Sequence, residues 1–339
     1  MKTRNLYIMV GIIFLSLMYN PQNCFAYSVS NLTASYSNGQ VFLTWTDPSE
    51  SNLQYNIYRS NTKFTNTSQI TSNKFLGFVR DNSSENIHLS QGGSQKVYYK
   101  IKDNGQPLTA NQGLYVVTCT ANQKYYYAVT ITNLTTGIES KTITPGENAL
   151  MTPVNETIAK PQPVFQKVVV ASGGEEKQQY VQFGNNQETP LYPALNSTGS
   201  YGFNFYITKR GNAGNYPLVV IYEGEGAIAG GGVGLDASIS DCYVLGVDDW
   251  LPIPDNSGNI GDNTHYCCYH ENFNIYSNNN PVPTKGIVKT YPQRRYIEAI
   301  HWAESHFPID ANRIYTKGTS ATGFGALLTA FIIPEEIAA

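Results

Sequence analysis

The sequence predicts two domains, an all-β sandwich followed by an α/β domain with a parallel sheet. From 29 to 143, short segments of alternating apolar and polar residues lie between clusters of Asn, Gly, Asp and Ser, which is typical of antiparallel strands. Residues 218–222 and 242–247 are instead continuously apolar, as in strands that are buried on both faces of a parallel sheet. A helical pattern follows them, and strands that alternate with helices indicate an α/β domain.

The composition argues against a nucleic-acid-binding protein and against a disordered chain. The 339 residues include 22 Lys and Arg and 25 Asp and Glu, a net charge of -3, without a basic block that could bind a polyanion. Charged residues make up only 14% and hydrophobic residues 41%, which allows a sizeable core. We therefore expect folded domains and no nucleic-acid partner.

Residues 1–26 have the pattern of a secretory signal peptide. Lys2 and Arg4 precede an apolar run from 6 to 18, and Cys24 and Ala26 supply small residues at the -3 and -1 positions of a cleavage site. The apolar run is shorter than the roughly 20 residues that a membrane-spanning helix needs, so we expect no membrane attachment after cleavage. The protein is predicted to be secreted, either extracellular or periplasmic.

Four cysteines remain after such a cleavage: Cys119, Cys242, Cys267 and Cys268. An oxidising compartment permits disulfides, but adjacent cysteines bridge each other only with difficulty, and no CxxC spacing typical of a metal site occurs. We therefore expect one disulfide or none, and no metal site.

The first module, predicted over 27–143, begins with a hairpin. Asn38-Gly39 separates two strand patterns and places Leu43 and Trp45 on one face of the second strand. Further alternating segments lie at 55–60, 96–101, 114–118 and 125–131. His88 stands alone in a polar stretch, where we expect a surface histidine or one whose hydrogen bonds are satisfied, rather than a ligand.

The order of these segments resembles that of a fibronectin type III domain over about a third of the chain. The resemblance is carried by Val41-Phe-Leu-Thr-Trp45, Tyr55-Asn-Ile-Tyr-Arg59 and Tyr125-Tyr-Tyr-Ala-Val129. It implies a tyrosine corner at Tyr125. Because the module contains no chemical motif, it is interpreted as a spacer or as a platform that docks a polymer or another protein.

The composition changes at 144–163, a polar stretch that suits an extended inter-domain linker and contains Pro145, Gly146, Pro153, Pro161 and Pro163. The second domain is expected over 164–339. A helix is predicted to begin near Pro292 and to end at Pro308, with apolar residues at helical spacing: Tyr296, Ala299, Ile300, Ala303 and Phe307.

A strand, a sharp turn with a serine and a helix follow one another around Ser320. The turn reads Gly318-Thr-Ser320-Ala-Thr322-Gly323, close to the GxSxG of a nucleophile elbow, with Thr322 in place of the second glycine and Gly323 one residue late. In an elbow the serine oxygen projects from the sheet, and the N–H of Ala321 points at a developing oxyanion. The alternative is a glycine-rich turn with an ordinary capping serine.

The second half of the chain resembles an α/β-hydrolase of the secreted esterase and depolymerase branch, which includes peptidase-like members. The resemblance is carried by Pro217-Leu-Val-Val-Ile-Tyr-Glu-Gly-Glu-Gly226, by Ile309-Asp-Ala-Asn-Arg-Ile-Tyr-Thr-Lys-Gly-Thr-Ser320, and by the helix that starts at Gly323. It implies a three-layer domain and no metal or organic cofactor. The implied substrate is an ester or a peptide, including polymeric ones.

The resemblance also implies functional residues. Ser320 would be the nucleophile, and backbone N–H groups of Ala321 and of the loop Gly224, Glu225 and Gly226 would form the oxyanion hole. Glu223 stands where the family has a histidine. Carboxylates beside an oxyanion would disfavour its charge, so Glu223 and Glu225 are expected to orient the loop with their side chains turned away.

The catalytic triad departs from the family order Ser, then Asp or Glu, then His, because no histidine follows Ser320. Either the polypeptide is truncated, which is the interpretation we favour, or it is a pseudoenzyme, or a base comes from upstream: His265, His270, His301 or His306. Truncation predicts an inactive chain and an incomplete sheet with an exposed parallel edge. The rival function is a non-catalytic extracellular binding or adhesion protein with a degenerate hydrolase scaffold.

A second candidate site is Asp248-Asp249-Trp250, directly after the apolar run 242–247, at a sheet end where ligands bind in open α/β folds. Trp250 could line a substrate pocket while the aspartates hold the loop. Alternatively, an aspartate caps a turn or helix and Trp250 packs over the sheet.

Overall fold

The computed structural model describes residues 27–91, 94–170, 174–212, 214–224, 240–254 and 260–338. None of the helices in these ranges is long and apolar enough to span a membrane. All four cysteines after Cys24 carry free thiols. The chain is mostly β structure with few helices.

The first module is a sandwich of two antiparallel sheets. One sheet has the order β1-β2-β5, formed by β1 (Ser30–Ser37), β2 (Gln40–Thr46) and β5 (Gln112–Thr118). The other has the order β4-β3-β6-β7, formed by β3 (Leu53–Ser60), β4 (Phe75–Arg80), β6 (Lys124–Asn133) and β7 (Ile138–Ser140). The hairpin predicted at Asn38-Gly39 is confirmed, with φ of 43° and 76° at the two residues, as a type I′ turn requires.

Side chains from both sheets form the core of the sandwich, among them Leu43, Trp45, Tyr55, Ile57, Tyr115, Tyr127 and Val129. The tyrosine corner predicted at Tyr125 is wrong. Its hydroxyl lies 3.4 Å from the side chain of Gln123, and its ring contacts Arg59. The strand turns Tyr127 inward instead, where its hydroxyl donates to Glu156.

The segment predicted as an extended linker packs on the sandwich. A short strand, β8 (Val154–Asn155), pairs with β6, and the Leu150 N–H donates to the Tyr127 carbonyl at 2.9 Å. Glu156 is buried and lies 3.1 Å from Arg59. These contacts make 144–156 part of the first module.

The second domain is built on a mixed sheet with the order β18-β12-β13-β11-β10-β9. Its strands are β9 (Val164–Val170), β10 (Glu176–Asn185), β11 (Ser200–Lys209), β12 (Tyr216–Tyr222), β13 (Tyr243–Val247) and β18 (Ile309–Lys317). β12 is parallel to β13 and β18, whereas β9, β10, β11 and β13 pair in antiparallel fashion. The predicted parallel sheet is therefore confined to three strands, with β18 at the edge.

Within the described ranges, the remaining elements are three helices and two small hairpins. The helices are α1 (Ile87–Ser90), α2 (Tyr291–His306) and α3 (Ala321–Ile332), with short 3-10 turns at Thr67–Gln69, Ser72–Lys74 and Pro334–Glu336. The hairpins pair β14 (Trp250–Pro254) with β15 (Ile260–Asn263) and β16 (Tyr269–His270) with β17 (Val288–Lys289). The helix predicted from Pro292 is confirmed as α2.

Helices α2 and α3 pack on the same face of the mixed sheet. Leu218, Val220 and Tyr222 meet them there, while Val219 and Ile221 point to the opposite face and are also buried. Of the three predicted layers, the described ranges therefore show two: the mixed sheet, and the helices α2 and α3 on one of its faces.

The two modules share a core, so the interpretation of the first module as a spacer needs correction. Phe42, Leu114 and Val116 of the sandwich pack against Val181 and Phe183 of β10. Hydrogen bonds cross the same boundary: the Asn185 side chain donates to the Val116 carbonyl at 2.6 Å, and the Gln40 side chain donates to the Phe183 carbonyl at 2.8 Å. Burial of this kind holds the modules in one arrangement.

Candidate active site

Ser320 occupies a strained turn between β18 and α3. Its backbone has φ 57° and ψ -132°, a combination that non-glycine residues adopt at a cost of about 1–3 kcal/mol. Its side chain is exposed and makes no capping hydrogen bond to α3. A capping serine would have extended backbone geometry and would accept a backbone N–H, so the geometry favours the elbow over the capping serine.

The sequence of the turn explains why this conformation forms. A Cβ at Gly318 would lie 2.0 Å from the carbonyl oxygen of Thr322, so only glycine fits there. The Thr322 hydroxyl accepts from the Thr319 N–H at 2.6 Å and donates to the Thr319 carbonyl at 2.7 Å. A Cβ at Gly323 would lie 3.7 Å from the nearest backbone atoms of Gly318, an ordinary contact, so the turn does not require glycine at this displaced position.

Gly325 brings the start of α3 close to the sheet. A Cβ at this position would lie 2.6 Å from the ring of Tyr222 on β12. The helix N-terminus, including the Ala321 N–H, is thereby held above the end of the neighbouring strand. A free N–H at a helix N-terminus is a ready donor to an anion.

Gly224 lies beside the same turn. It follows β12, the strand adjacent to β18, and a Cβ built on it would be 3.9 Å from the Thr322 side chain. Ala321 and Gly224 are predicted as two parts of an oxyanion hole, and both therefore lie at the Ser320 turn. Glu225 and Gly226, the other predicted members of this loop, lie outside the described residues.

The side chain of Glu223 points into the protein, where it meets a histidine from the first module. Glu223 Oε1 lies 3.4 Å from His88 Nε2, and Asp248 Oδ2 lies 3.1 Å from His88 Nδ1. All three side chains are buried. The imidazole of α1 thus lies between two carboxylates at the carboxyl ends of β12 and β13.

Further donors surround Asp248. Its Oδ1 accepts from the Trp250 N–H at 2.7 Å, and its Oδ2 accepts from the Asn204 side chain at 2.9 Å. Asn204 in turn accepts from Asn86 at 2.7 Å, one residue before α1. The ring of Trp250 stacks on His88 with centroids 4.9 Å apart. A continuous polar network therefore anchors the sandwich to the carboxyl ends of β12 and β13.

The two carboxylates have opposite protonation tendencies. Burial, and after it the negative charge of Asp248, raise the pKa of Glu223 far above its usual range. Burial also disfavours charge on Asp248, but His88, Asn204 and the Trp250 N–H outweigh it and hold the pKa of Asp248 below its usual value. At neutral pH Glu223 is therefore protonated and Asp248 is ionised, so the carboxyl next to the Gly224 turn carries no charge.

His88, Glu223 and Asp248 lie close enough together to be considered as ligands of a cation. However, each nitrogen of the imidazole faces a different carboxylate. One metal ion can bind only one nitrogen of a histidine ring, so this arrangement fits a histidine that links two acids better than a metal centre.

The predicted pocket at Asp248, Asp249 and Trp250 is wrong for this conformation. The three residues are only 4%, 0% and 3% exposed, so they present no surface to a substrate. Asp249 accepts from the Tyr266 N–H at 2.8 Å and lies 3.7 Å from Arg295. Burial raises the pKa of Asp249 to about 6, and Arg295 limits this rise. The alternative, in which Trp250 packs over the sheet, agrees with the structure, although Trp250 begins a strand.

The four histidines considered as an upstream base make their contacts elsewhere or stand free at the surface. His301 lies 3.1 Å from Glu336, His306 lies 2.7 Å from the Trp302 carbonyl, and His270 lies 2.9 Å from the Lys285 carbonyl. His265 is exposed in a loop with φ 51°. Within the part of the chain that the structure describes, no histidine hydrogen-bonds the Ser320 hydroxyl.

The assigned protonation states predict different outcomes for two isosteric substitutions. Glu223→Gln should change the free energy of unfolding by less than about 1 kcal/mol, because an amide resembles a protonated carboxyl. Asp248→Asn should lower it by about 2–4 kcal/mol, because both oxygens accept from donors and an amide would place N–H against N–H. Urea unfolding of both variants measures this, and equal losses would contradict the assignment.

Comparisons with known proteins add distant structural likenesses. No family model matches the sequence, and no curated protein matches it. Two solved structures from Shigella flexneri, an enterobactin esterase and an enterochelin esterase, are 12% and 13% identical over 91% of this chain and 72% and 71% of theirs, each with a TM-score of 0.27. A candidate dipeptidyl aminopeptidase IV from Bacteroides ovatus is 10% identical over 90% of this chain and 41% of its own, with a TM-score of 0.26. These likenesses are too distant to indicate the chemistry of the site.

Proposed function

We propose that this protein is a secreted serine hydrolase that acts on an ester, with a peptide as the less favoured substrate, and that Ser320 is its nucleophile. The observation that carries the proposal is the backbone of Ser320, with φ 57° and ψ -132°, at an exposed turn from a parallel strand into a helix. Strain of this kind persists where the surrounding structure enforces it, and it is concentrated at active sites.

The neighbouring groups fit the same chemistry. The Ser320 oxygen would attack the substrate carbonyl carbon, and the carbonyl oxygen would gain the negative charge. The N–H groups of Ala321 and Gly224 are the donors proposed to stabilise that oxyanion. Because Glu223 is turned away and uncharged, it does not oppose the charge. The Ser320 proton must pass to a general base, and no described residue is assigned this role.

The proposal includes an α/β-hydrolase assignment for the second domain and a fibronectin type III-like assignment for the first. The former is supported by the elbow on β18 beside the Gly224 turn on β12. The latter is supported by the two sheets β1-β2-β5 and β4-β3-β6-β7. Residues 1–26 are proposed to direct secretion.

Fluorophosphonate labelling tests the nucleophile. In the protein as its native cells produce it, we expect the probe to label Ser320. Labelling should be lost in Ser320→Ala and unchanged in Ser305→Ala, which removes another exposed serine. Hydrolysis of a p-nitrophenyl ester should fall at least about 10⁴-fold in Ser320→Ala. If Ser320 of the folded protein from its native cells stayed unlabelled, this would contradict the proposal and favour the rival function, a non-catalytic binding protein.

A further inference from the structure

A cavity of about 490 Å³ lies between the sandwich and the mixed sheet. Its volume is within the range of small-molecule sites, and module boundaries are frequent places for them. Residues from β3, β4 and β5 line one side, and residues from β10, β11 and β14 line the other. None of the residues of the Ser320 turn lines it.

The wall of the cavity is mainly apolar and aromatic. Leu53 and Leu114 contribute aliphatic surface, and Phe183, Tyr99 and Tyr201 contribute rings. The hydroxyl of Tyr99 is already engaged, since it donates to the Gly202 carbonyl at 3.1 Å. Such a wall favours a ligand with an aromatic or branched apolar body.

Arg80, the last residue of β4, brings a positive charge to this wall. Its Nη1 is buried and has no hydrogen-bond partner among the described residues, and no described carboxylate lies within ion-pair distance of its guanidinium. The guanidinium carbon lies 5.4 Å from the centre of the Phe78 ring. Burial lowers the pKa of Arg80 from its usual value, but a guanidinium stays protonated in proteins. Arg80 as a whole is half-buried, but a buried N–H group without an acceptor is costly, and an anionic ligand that accepts from Nη1 would relieve this cost.

Two carboxylates also line the cavity, but both are engaged. Asp81 accepts from the Leu53 N–H at 3.0 Å, and Glu85 is paired with Lys96 at 2.8 Å. Arg80 is therefore the charged group on this wall with unused hydrogen-bonding capacity for an anion, and the buried hydroxyl of Tyr201 is a neutral donor that also has no partner among the described residues.

We propose that the cavity between the modules binds a small monocarboxylic acid with an aromatic or branched apolar body, and that Arg80 pairs with its carboxylate. The guanidinium presents two parallel N–H groups to a carboxylate, which fixes the orientation of the ligand. The apolar body lies against Phe183 and the two leucines. The proposal is independent of hydrolysis at Ser320, because it concerns binding and uses none of the residues of that turn.

Calorimetric titration with 4-phenylbutyrate and with its uncharged amide tests the proposal on the unmodified protein. We expect the acid to bind at least about 10-fold more tightly than the amide, since a charge-assisted hydrogen bond is added. Equal binding of acid and amide, or no saturable binding of either, would overturn the proposal. This comparison needs no variant and no enzymatic activity.

Variants locate the site. Arg80→Gln should abolish the preference for the acid and leave the binding of the amide unchanged, and Arg80→Lys should retain part of the preference. Lys141→Gln removes an exposed cation from the same module, away from the cavity wall, and should change neither affinity. A preference for the acid that persists in folded Arg80→Gln would overturn the assignment of Arg80.

Discussion

Replacing His88 with alanine is expected to lower the free energy of unfolding by about 3–5 kcal/mol, the cost of removing one partner from a buried charge network. Asp248 would lose the imidazole that lies 3.1 Å away and that helps to hold its pKa low, so it would either remain charged without this partner or be protonated, and both cost free energy. The indole of Trp250 would lose its stacking partner as well. A protein of this size should then melt about 10 °C lower, as measured by circular dichroism.

A surface histidine provides the matched control for this variant. His306 also stacks on an indole, that of Trp302 at 4.6 Å, but it is exposed and has no carboxylate partner among the described ion pairs. His306→Ala should change the free energy of unfolding by less than about 1 kcal/mol. If His88→Ala melted as high as His306→Ala, the buried network would not hold the modules together.

Replacing Gly318 with alanine is expected to disrupt the turn that presents Ser320. The new methyl group would lie 2.0 Å from the Thr322 carbonyl oxygen, and a backbone atom can move away only if the turn changes shape. A displacement of about 1 Å at a nucleophile costs about 100-fold in rate. We therefore expect fluorophosphonate labelling of Gly318→Ala, made in the native cells, to be about 100-fold slower than that of the unmodified protein. The free energy of unfolding should fall by about 1–3 kcal/mol.

Gly214→Ala is the control for this substitution. Gly214 is exposed, and a Cβ there would meet no atom within 4 Å. Labelling and melting temperature should match those of the unmodified protein. Wild-type labelling in Gly318→Ala would show that the close approach of Gly318 and Thr322 is not needed to position Ser320.

Sequence patterns predicted those elements whose conformation depends on residues close together in the chain. The hairpin at Asn38-Gly39 follows from the positive φ that these residue types tolerate, and α2 follows from apolar spacing bounded by prolines. The turn at Ser320 was identified in the same way, because glycine is needed within two residues of the serine. Each of these features is determined by residues within one continuous segment of the chain.

The partners of His88 could not be predicted in this way. Its carboxylates lie 135 and 160 positions further along the chain, and only the packing of the sandwich on the sheet brings them together. The adjacent acids Asp248 and Asp249 have the same sequence context but different partners, since one faces His88 and the other Arg295. The two residues lie between β13 and β14, and the identity of each partner is set by tertiary contacts. The signal that could have found His88 was that it is the one histidine in the long connection between β4 and β5.

The shared core and the His88 network also affect how such a protein can evolve. A sandwich that is joined to its neighbour only through a chain connection can be exchanged, duplicated or lost by recombination with little effect on the neighbour. Here the first module supplies an imidazole to two acids of the second, and Phe42 and Val116 cover part of its sheet. A recombinant that received a foreign sandwich would leave Asp248 in the interior without the imidazole that offsets its burial, so the two modules are expected to be inherited as a pair.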